Sequence, residues 1–445
     1  MNRIQPTTKP HELIKSSTNP HHSWLLRKLI STLNAANITA IHIVTKSGDR
    51  IAIGHPNSDV AAPVIKLKRN RAILKSSVNG LLGWAESYMA GDWECDSLIT
   101  LTDWAMYNED ALRTAFAGRS ISALINRIWH RLNDNSKRGS RKNIAYHYDL
   151  GNSFYQEWLD ETMTYSSALF EDTSLTLAQA QNAKYQRILS MSEAKSGDRI
   201  LEIGCGWGGF AETVSEQDSL SLYGVTLSKE QLAYANHRVA QLEANDRIKL
   251  AFQDYRDIDQ TFERIVSIEM FEAVGEAHWD TYFQKLYTSL KPGGTAVLQI
   301  ICIEPKRFEN YRNNADFIQR YIFPGGMLPT AEKVMDLTQA HGMHMEEQLE
   351  FGLDYAETLR QWRETFMQRW ESIKPQGYDE RFKRMWEYYL AYCESGFRYR
   401  SIDVRLFKIR KPLCSSLLSS TQTQKQGAPN ANTTPHSVPT HGHHG

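Results

Sequence analysis

The segment Arg199-Ile-Leu-Glu-Ile-Gly-Cys-Gly-Trp-Gly-Gly-Phe210 constrains this chain more than any other. The apolar residues Ile200, Leu201 and Ile203 read as a short buried strand that runs into a glycine-rich turn and then a helix. Gly204, Gly206 and Gly209 let the backbone bend sharply and approach a ligand closely, with Cys205 and Gly208 inside the same loop. The spacing is a literal G-x-G-x-x-G, by itself only a weak indication of a dinucleotide site. Two details turn it away from NAD. Glu202 stands just before the first glycine, where a carboxylate meets the amino group of a methionine-type ligand. Where a nicotinamide enzyme would carry an acid for the ribose hydroxyls, the chain reads Tyr223-Gly-Val-Thr-Leu-Ser228. The loop therefore predicts S-adenosylmethionine in preference to nicotinamide or flavin.

The chain has 445 residues, enough for two or three domains. Its 51 basic and 51 acidic residues cancel, so no overall field draws it to nucleic acid. The cysteines Cys95, Cys205, Cys302, Cys393 and Cys414 form no C-x-x-C pair. Neither zinc nor a disulfide framework is expected, which suggests a reducing cytosol. The N-terminus has no apolar core of signal-peptide type. The longest apolar run, Ala296 to Cys302 with Gln299 inside it, is far too short to span a bilayer, so any membrane contact is expected to be peripheral.

Residues 1–20 are polar and expected to be loose. The stretches Ile41–Val44, Arg50–Ile53 and Val64–Lys68 suggest a small sheet, followed by helices from about Leu98. From about Ile144 strands and helices alternate: strand 199–204, helix 208–217, strand 221–227, helix 229–243, strands 248–253 and 264–269, helix 277–290 and strand 295–302. Leu232, Ala235, Val239 and Leu242 give the second of these helices one apolar face, and Lys291-Pro-Gly-Gly294 is expected to stop a helix before the next strand. Such alternation implies a parallel sheet covered by helices. Met345–Phe351 and Val404–Ile409 are expected to pair antiparallel at the sheet edge, with aromatic helices Leu359–Trp370 and Arg381–Tyr392 between them. The expected division is a flexible start (1–20), an N-terminal domain with a basic linker (21–143), a catalytic domain (144–411) and a disordered tail (412–445) rich in Ser, Thr, Asn and Pro.

Several separated motifs occur together: Glu86-Ser-Tyr-Met89 with Gly91 and Trp93-Glu94; His147-Tyr-Asp-Leu-Gly-Asn152; Met163-Thr-Tyr-Ser166; the glycine loop; Gly224-Val-Thr-Leu-Ser228 with Gln231; Gln253-Asp-Tyr-Arg-Asp257; Met270-Phe-Glu272 with Val274-Gly275; Tyr321-Ile-Phe-Pro324; and Arg381-Phe-Lys-Arg-Met385. In this order they resemble the cyclopropane-fatty-acyl-phospholipid synthases, relatives of the mycolic-acid cyclopropane synthases, over roughly residues 75–410.

The resemblance implies an α/β fold: a class I, Rossmann-like methyltransferase domain with a mostly parallel seven-stranded sheet, and a smaller, lipid-engaging N-terminal α+β domain. It implies transfer of a methyl carbon from S-adenosylmethionine to a cis double bond in a phospholipid acyl chain, giving a cyclopropane. Matched positions place Tyr165 and Ser166 beside the methionine part with the 204–209 loop, Thr226, Ser228 and Gln231 on the ribose side, and Asp254 and Tyr255 around the adenine.

An alkene is a poor nucleophile, so positioning supplies much of the rate. The resulting carbocation suits aromatic faces, and Tyr148, Tyr165, Phe271, Trp279, Tyr321 and Tyr355 lie near the matched motifs. Ring closure then needs a base. The resemblance implies a bound bicarbonate, held where this chain has Ser167, Glu272, Gln299, Ile301 and Tyr355. Serine and glutamine replace the family's cysteine and histidine. A methylene- or methyl-branched product therefore stays open beside the cyclopropane, as does direct proton transfer to Glu272. Cys393 matches a cysteine once proposed as a nucleophile, although a buried structural thiol is the simpler reading. Intact Glu272, Tyr355 and cofactor motifs argue against an inactive lipid-binding relative.

Residues 125–142 carry six Lys/Arg and one Asp with Trp129 and Leu132, and Lys66, Lys68, Arg69, Arg71 and Lys75 form a second basic cluster. Both suit an anionic lipid surface. The expected partners are unsaturated phospholipid acyl chains and the inner face of the cytoplasmic membrane, without nucleic acid or metal. Monomer and homodimer stay open.

Overall fold

The structure, a computed structural model, describes residues 22–116, 139, 150–243 and 245–413. The basic run at 125–142 apart from residue 139, the first half of the His147–Asn152 motif with Tyr148, Cys414, the first twenty residues and nearly all of the polar tail lie outside the described residues.

Two sheets organise the chain. The N-terminal one has four strands in the order β2-β1-β3-β4: β1 (Ile41–Val44), β2 (Arg50–Ile53), β3 (Val64–Leu67) and β4 (Trp93–Cys95). Its strands alternate buried and part-exposed residues, because only one face meets the core. The first three strands fall where alternation predicts them. Two helices are additions: Trp24–Ala35, and Arg71–Met89, which kinks at Gly80. The second hides its period behind exposed apolar residues.

The larger sheet has seven strands in the order β10-β11-β9-β8-β5-β6-β7. Its members are β5 (Arg199–Ile203), β6 (Ser221–Thr226), β7 (Ile248–Phe252), β8 (Phe262–Ile268), β9 (Leu290–Ile303), β10 (His344–Glu350) and β11 (Ile402–Arg410). The pairs among β5 to β9 are parallel, while β11 runs antiparallel between β9 and β10. Ala296, Val297, Leu298, Gln299 and Ile300 are all at 0% exposure, so the middle of β9 is covered on both faces.

Lys291-Pro-Gly-Gly294 differs from expectation. The helix Trp279–Ser289 ends before it, and the four residues belong to β9, which shifts register against β8 there. A side chain at Gly294 would meet Glu263 O at 2.7 Å, so the strand can pass only as glycine.

The order reverses between β8 and β5, and the loops at the carboxyl ends of β5, β6 and β8 open beside that switch point, the usual ligand crevice of such a sheet. The aromatic helices are longer than expected, Gly352–Gln368 and Glu380–Arg398. They pack on each other and join the two sheets through one continuous core from Leu26 and Trp93 to Trp362 and Trp386. Polar bonds cross the same seam: Tyr321 Oη donates to Glu86 at 2.8 Å, and Tyr88 Oη donates to Glu387 at 2.8 Å. The matched Glu86 and Tyr88 motif thus serves to hold the N-terminal sheet onto the catalytic helices.

Candidate active site

The glycine loop forms as its sequence dictates. Gly204, Gly206 and Gly208 have φ of 88°, 50° and 83°, and Gly208 caps the helix Gly209–Ser215. Gly204 N and Cys205 N both donate to Val225 O, which ties the loop to β6. A side chain on Gly209 would stand 2.6 Å from Tyr185 Oη, whereas one on Gly206 would meet nothing within 4 Å. Gly206 therefore borders open space.

Glu202 is 2% exposed at the end of β5, and its Oε2 has no hydrogen-bond partner. Burial pushes its carboxyl up to about 8, although Lys184 pulls it down. A buried carboxyl with an unsatisfied oxygen beside a glycine loop fits the amino group of a methionine-type ligand, whose charge would favour its ionised form. Tyr165 Oη hydrogen-bonds Tyr389 Oη at 2.7 Å, and Ser166 Oγ accepts from Lys184 Nζ at 2.7 Å.

The residues matched to the ribose and adenine are engaged locally. Thr226 Oγ1 donates to Gln231 Oε1 and accepts from Ser228 N, while Ser228 Oγ caps its helix by accepting from Gln231 N. Asp254 holds Arg256 through both carboxylate oxygens, and Tyr255 packs edge-on against Tyr282. These contacts fix the rim of the crevice at the ends of β6 and β7.

The second half of the site centres on a residue that sequence reasoning passed over. Glu269 follows β8 with φ of 48°. Its Oε1 accepts from Ser167 N at 2.8 Å and from Gln299 Nε2 at 2.8 Å, and its Oε2 accepts from Tyr355 Oη at 2.7 Å. Three of the five positions expected around a bicarbonate thus converge on a side-chain carboxylate. Ser167 takes part through its backbone, its own hydroxyl donating to Ala168 O. The signal available in the sequence was an acid at the carboxyl end of a central parallel strand, where ligands bind in such sheets.

Glu272 is not in that ring. Its Oε1 accepts from Ile301 N at 2.5 Å, and its Oε2 is out of solvent without a partner. Tyr355, expected beside a bicarbonate together with Glu272, bonds Glu269, whose chain position lies three residues nearer the strand. Burial raises both carboxyls, and Glu269 further lifts Glu272, to about 8, by repulsion. Three hydrogen bonds and Lys184 pull Glu269 back down. The two enclosed acids stand in unlike surroundings: three donors favour the anion at Glu269, whereas burial and Glu269 favour the protonated form of Glu272.

Aromatic rings line this region. Tyr165 lies 5.4 Å from Trp362, 5.5 Å from Trp158 and 5.4 Å from Tyr155. Tyr355 stacks on Phe397 at 4.4 Å. Phe271 and Trp279 instead stack on each other inside the helix–sheet core. Burial raises the Cys393 thiol above its usual value, with Asp316 adding to the effect, which favours the thiol over the nucleophilic thiolate. Cys205 is likewise buried and held as a thiol.

Comparison with known proteins agrees with this geometry. The family model for mycolic acid cyclopropane synthetase matches residues 135–407. A tuberculostearic acid methyltransferase of Mycobacterium tuberculosis is 39% identical over 358 residues, 78% of this chain and 83% of that protein. A cyclopropane-fatty-acyl-phospholipid synthase of Escherichia coli is 38% identical over 342 residues, 74% of this chain and 82% of that protein. Among solved structures, a mycolic acid cyclopropane synthase complexed with SAH and CTAB superposes with a TM-score of 0.57 at 29% identity, covering 61% of this chain and 98% of that one. With a glycine loop, an unpaired Glu202 and a seven-stranded sheet of this order, the chain belongs to the mycolic acid cyclopropane synthetase family and is an S-adenosylmethionine-dependent methyltransferase acting on fatty acids.

Proposed function

We propose that this enzyme methylates the cis double bond of unsaturated acyl chains in membrane phospholipids, and that its product is a methyl- or methylene-branched chain. The observation that carries the choice of product is the Glu269 carboxylate inside the ring of Ser167, Gln299 and Tyr355.

Methyl transfer breaks the donor's carbon–sulfur bond, forms a carbon–carbon bond and leaves a cation on the neighbouring chain carbon. Ring closure requires a base set against the new methyl group. A carboxylate tethered to the chain, with three acceptor positions already used, stabilises a cation well and accepts a proton poorly. Beside that fixed charge and the rings of Tyr165 and Tyr355, the cation persists. A hydride shifts from the methyl-bearing carbon to the cationic one before Glu269, a weak base, takes up the proton that leaves the shifted cation. The result keeps one double bond and gains a one-carbon branch. The resemblance to a relative named as a tuberculostearic acid methyltransferase supports the same reading. The cyclopropane is the second reading, favoured by the unpartnered Oε2 of Glu272, which takes the proton directly when that carboxyl is ionised.

Incubation with labelled S-adenosylmethionine and vesicles of cis-unsaturated phosphatidylglycerol, followed by proton NMR of the esters, separates the two. Olefinic signals of a branched chain are expected. Ring methylene signals as the sole product would overturn the branched reading.

Access to a bilayer has a candidate surface on the helix Arg71–Met89. Leu74, Val78 and Leu81 are exposed there by 51%, 48% and 68%. Arg69, Arg71 and Lys75 gather around one fully buried carboxylate, Asp92, so three cations share one anion beside the apolar stripe. No helix among the described residues is long and apolar enough to cross a membrane. Docking through an apolar stripe with a cationic edge fits an anionic surface. Sedimentation with the same vesicles should fall as salt rises and on Leu81→Asp; indifference to both would place the lipid contact elsewhere.

A further inference from the structure

Lys184 is a fully buried lysine that none of the chemistry above uses. It lies on the helix Leu177–Ser192, whose first turn is fixed by a capping box of Thr176 and Gln179. Its Nζ donates to Ser166 Oγ at 2.7 Å and stands 4.2 Å from the centre of the Tyr185 ring. Among the described residues no carboxylate lies within ion-pair distance of it. One turn earlier on the same helix, Gln181 Nε2 donates to Ser166 O at 2.9 Å, and its Oε1 is buried with no partner. The helix thus grips both the hydroxyl and the carbonyl of Ser166. The next residue, Ser167, donates its N–H to Glu269.

A bare ammonium with two donors unplaced is costly inside a protein. So is the Oε2 of Glu202, which has no partner either. Both belong to the same buried field: the acids that act on Lys184 are Glu269, Asp160 and Glu202. Burial pulls the ammonium down to about 7 against their attraction. The crevice therefore brings together a buried amine with donors to spare and a buried carboxyl with an unpartnered oxygen. The amino-acid end of S-adenosylmethionine is a zwitterion that supplies a partner for each.

We propose that Lys184 is a positioning residue for the donor's amino-acid end: its charge, delivered at Ser166, receives the carboxylate while Glu202 receives the ammonium. The assignment rests on the glycine loop as the donor's seat and is independent of which lipid product forms. It also gives the donor's carboxylate a purpose in the reaction. Ser166 and Ser167 are consecutive, so a cation that fixes Ser166 also steadies the N–H that orients Glu269. Donor seat and charged site are then held by one strut.

Calorimetry with three ligands tests this. S-adenosylhomocysteine carries the whole amino acid, its decarboxylated analogue lacks only the carboxylate, and 5′-methylthioadenosine lacks the amino-acid end. Wild type should bind the decarboxylated analogue at least about tenfold more weakly than S-adenosylhomocysteine, the worth of one charge-assisted contact. Lys184→Met should weaken S-adenosylhomocysteine by a similar factor and leave the other two within about twofold, because the lost partner is already absent from them. Lys184→Gln, which retains a donor toward Ser166, should show the same pattern, and near-ultraviolet dichroism checks that each variant is folded. Equal loss for all three ligands would reduce Lys184 to a structural counter-charge. Equal affinity of wild type for S-adenosylhomocysteine and its decarboxylated analogue would overturn the proposal without any variant. Failure of all three to bind wild type would instead strike at the glycine loop.

Discussion

The donor seat and the charged site at Glu269 lie side by side at the carboxyl ends of neighbouring strands, yet they are built in opposite ways. The seat is local. Gly204 to Gly209 follow β5 directly, and the polar groups of Thr226, Ser228 and Gln231 satisfy one another within six residues. In the proposed seat, specificity would come from backbone shape and from Glu202, whose Oε2 has no partner. The charged site is assembled from afar. Ser167, Glu269, Gln299 and Tyr355 come from four separate stretches of the chain, and their bonds span from 30 to 102 residues. A local site tolerates change in the rest of the fold. A site assembled over such distances depends on the packing of the whole catalytic core, and one substitution within it redirects every partner.

The strongest way to break this contrast is Glu269→Gly. Glycine suits the φ of 48° there, so the backbone is relieved while the carboxylate disappears. Ser167 N, Gln299 Nε2 and Tyr355 Oη would be left around a space of carboxylate size. Turnover should fall by about a hundred- to ten-thousand-fold, the usual range for a lost proton-transfer or charge-stabilising group. S-adenosylhomocysteine affinity, measured by calorimetry, should change little, because the donor seat is built elsewhere. Added bicarbonate should restore part of the rate and raise the fraction of cyclopropane among the products. A variant with full turnover, or one that no small anion rescues, would remove Glu269 from the centre of the site.

A smaller effect separates the two acids by pH. The Glu272 carboxyl is raised from an ordinary 4.5 to about 8 in the folded protein, by burial first and by Glu269 second. A raised carboxyl favours the folded state while both forms are protonated, below the unfolded value. The unfolded chain ionises first as pH rises, so that advantage is lost progressively and is gone above about 8. Glu272→Gln removes the titration and keeps an acceptor for Ile301 N. The variant should gain on wild type by about 2–4 kcal/mol between pH 5 and pH 9, read by urea unfolding at each pH. A difference between the two proteins that stays constant with pH would mean that the Glu272 carboxyl is not raised in the native state, and the contrast drawn between the acids would be wrong.

The two regions were unequally legible. The glycine loop and the strand–helix alternation after it carry their meaning in adjacent residues, so turn chemistry and apolar runs place β5, β6 and β7 almost to the residue, while β8 and β9 begin earlier than expected. The candidate cofactor residues were legible because they sit on those turns. Glu269 carried no such mark. One acid after an apolar strand looks like a solvated strand end until Tyr355, more than eighty residues later, is folded onto it. Lys184 was hidden for a related reason: on a helix with Gln, Lys and Arg around it, nothing local says that this lysine points inward. The helix Arg71–Met89 escaped because Leu74, Val78 and Leu81 face outward and blur its period. The segment Lys291–Gly294 reads as a stop but continues a strand, since the glycines allow the close passage against Glu263 that a turn would not need.

The least disruptive substitution sharpens the contrast from the side of the donor seat. A side chain at Gly206 would meet no protein atom within 4 Å, unlike one at Gly209, which would strike Tyr185. Gly206→Ala therefore tests ligand space and not packing. The φ of 50° at this position costs an alanine about 1–2 kcal/mol, a change that thermal melting would register without loss of the fold. If the donor lies over the loop, the added methyl group occupies its volume, and S-adenosylhomocysteine affinity should fall by about ten- to a hundredfold, consistent with a loop selected for close backbone approach. Under saturating donor, turnover should recover most of its wild-type value, because Glu269 and its partners lie on other strands. A loss of turnover that excess donor does not restore would mean that the two halves are one mechanical unit. A variant with unaltered affinity would mean that the open space at Gly206 faces solvent, and the donor would have to be sought elsewhere along the ends of β5 and β6.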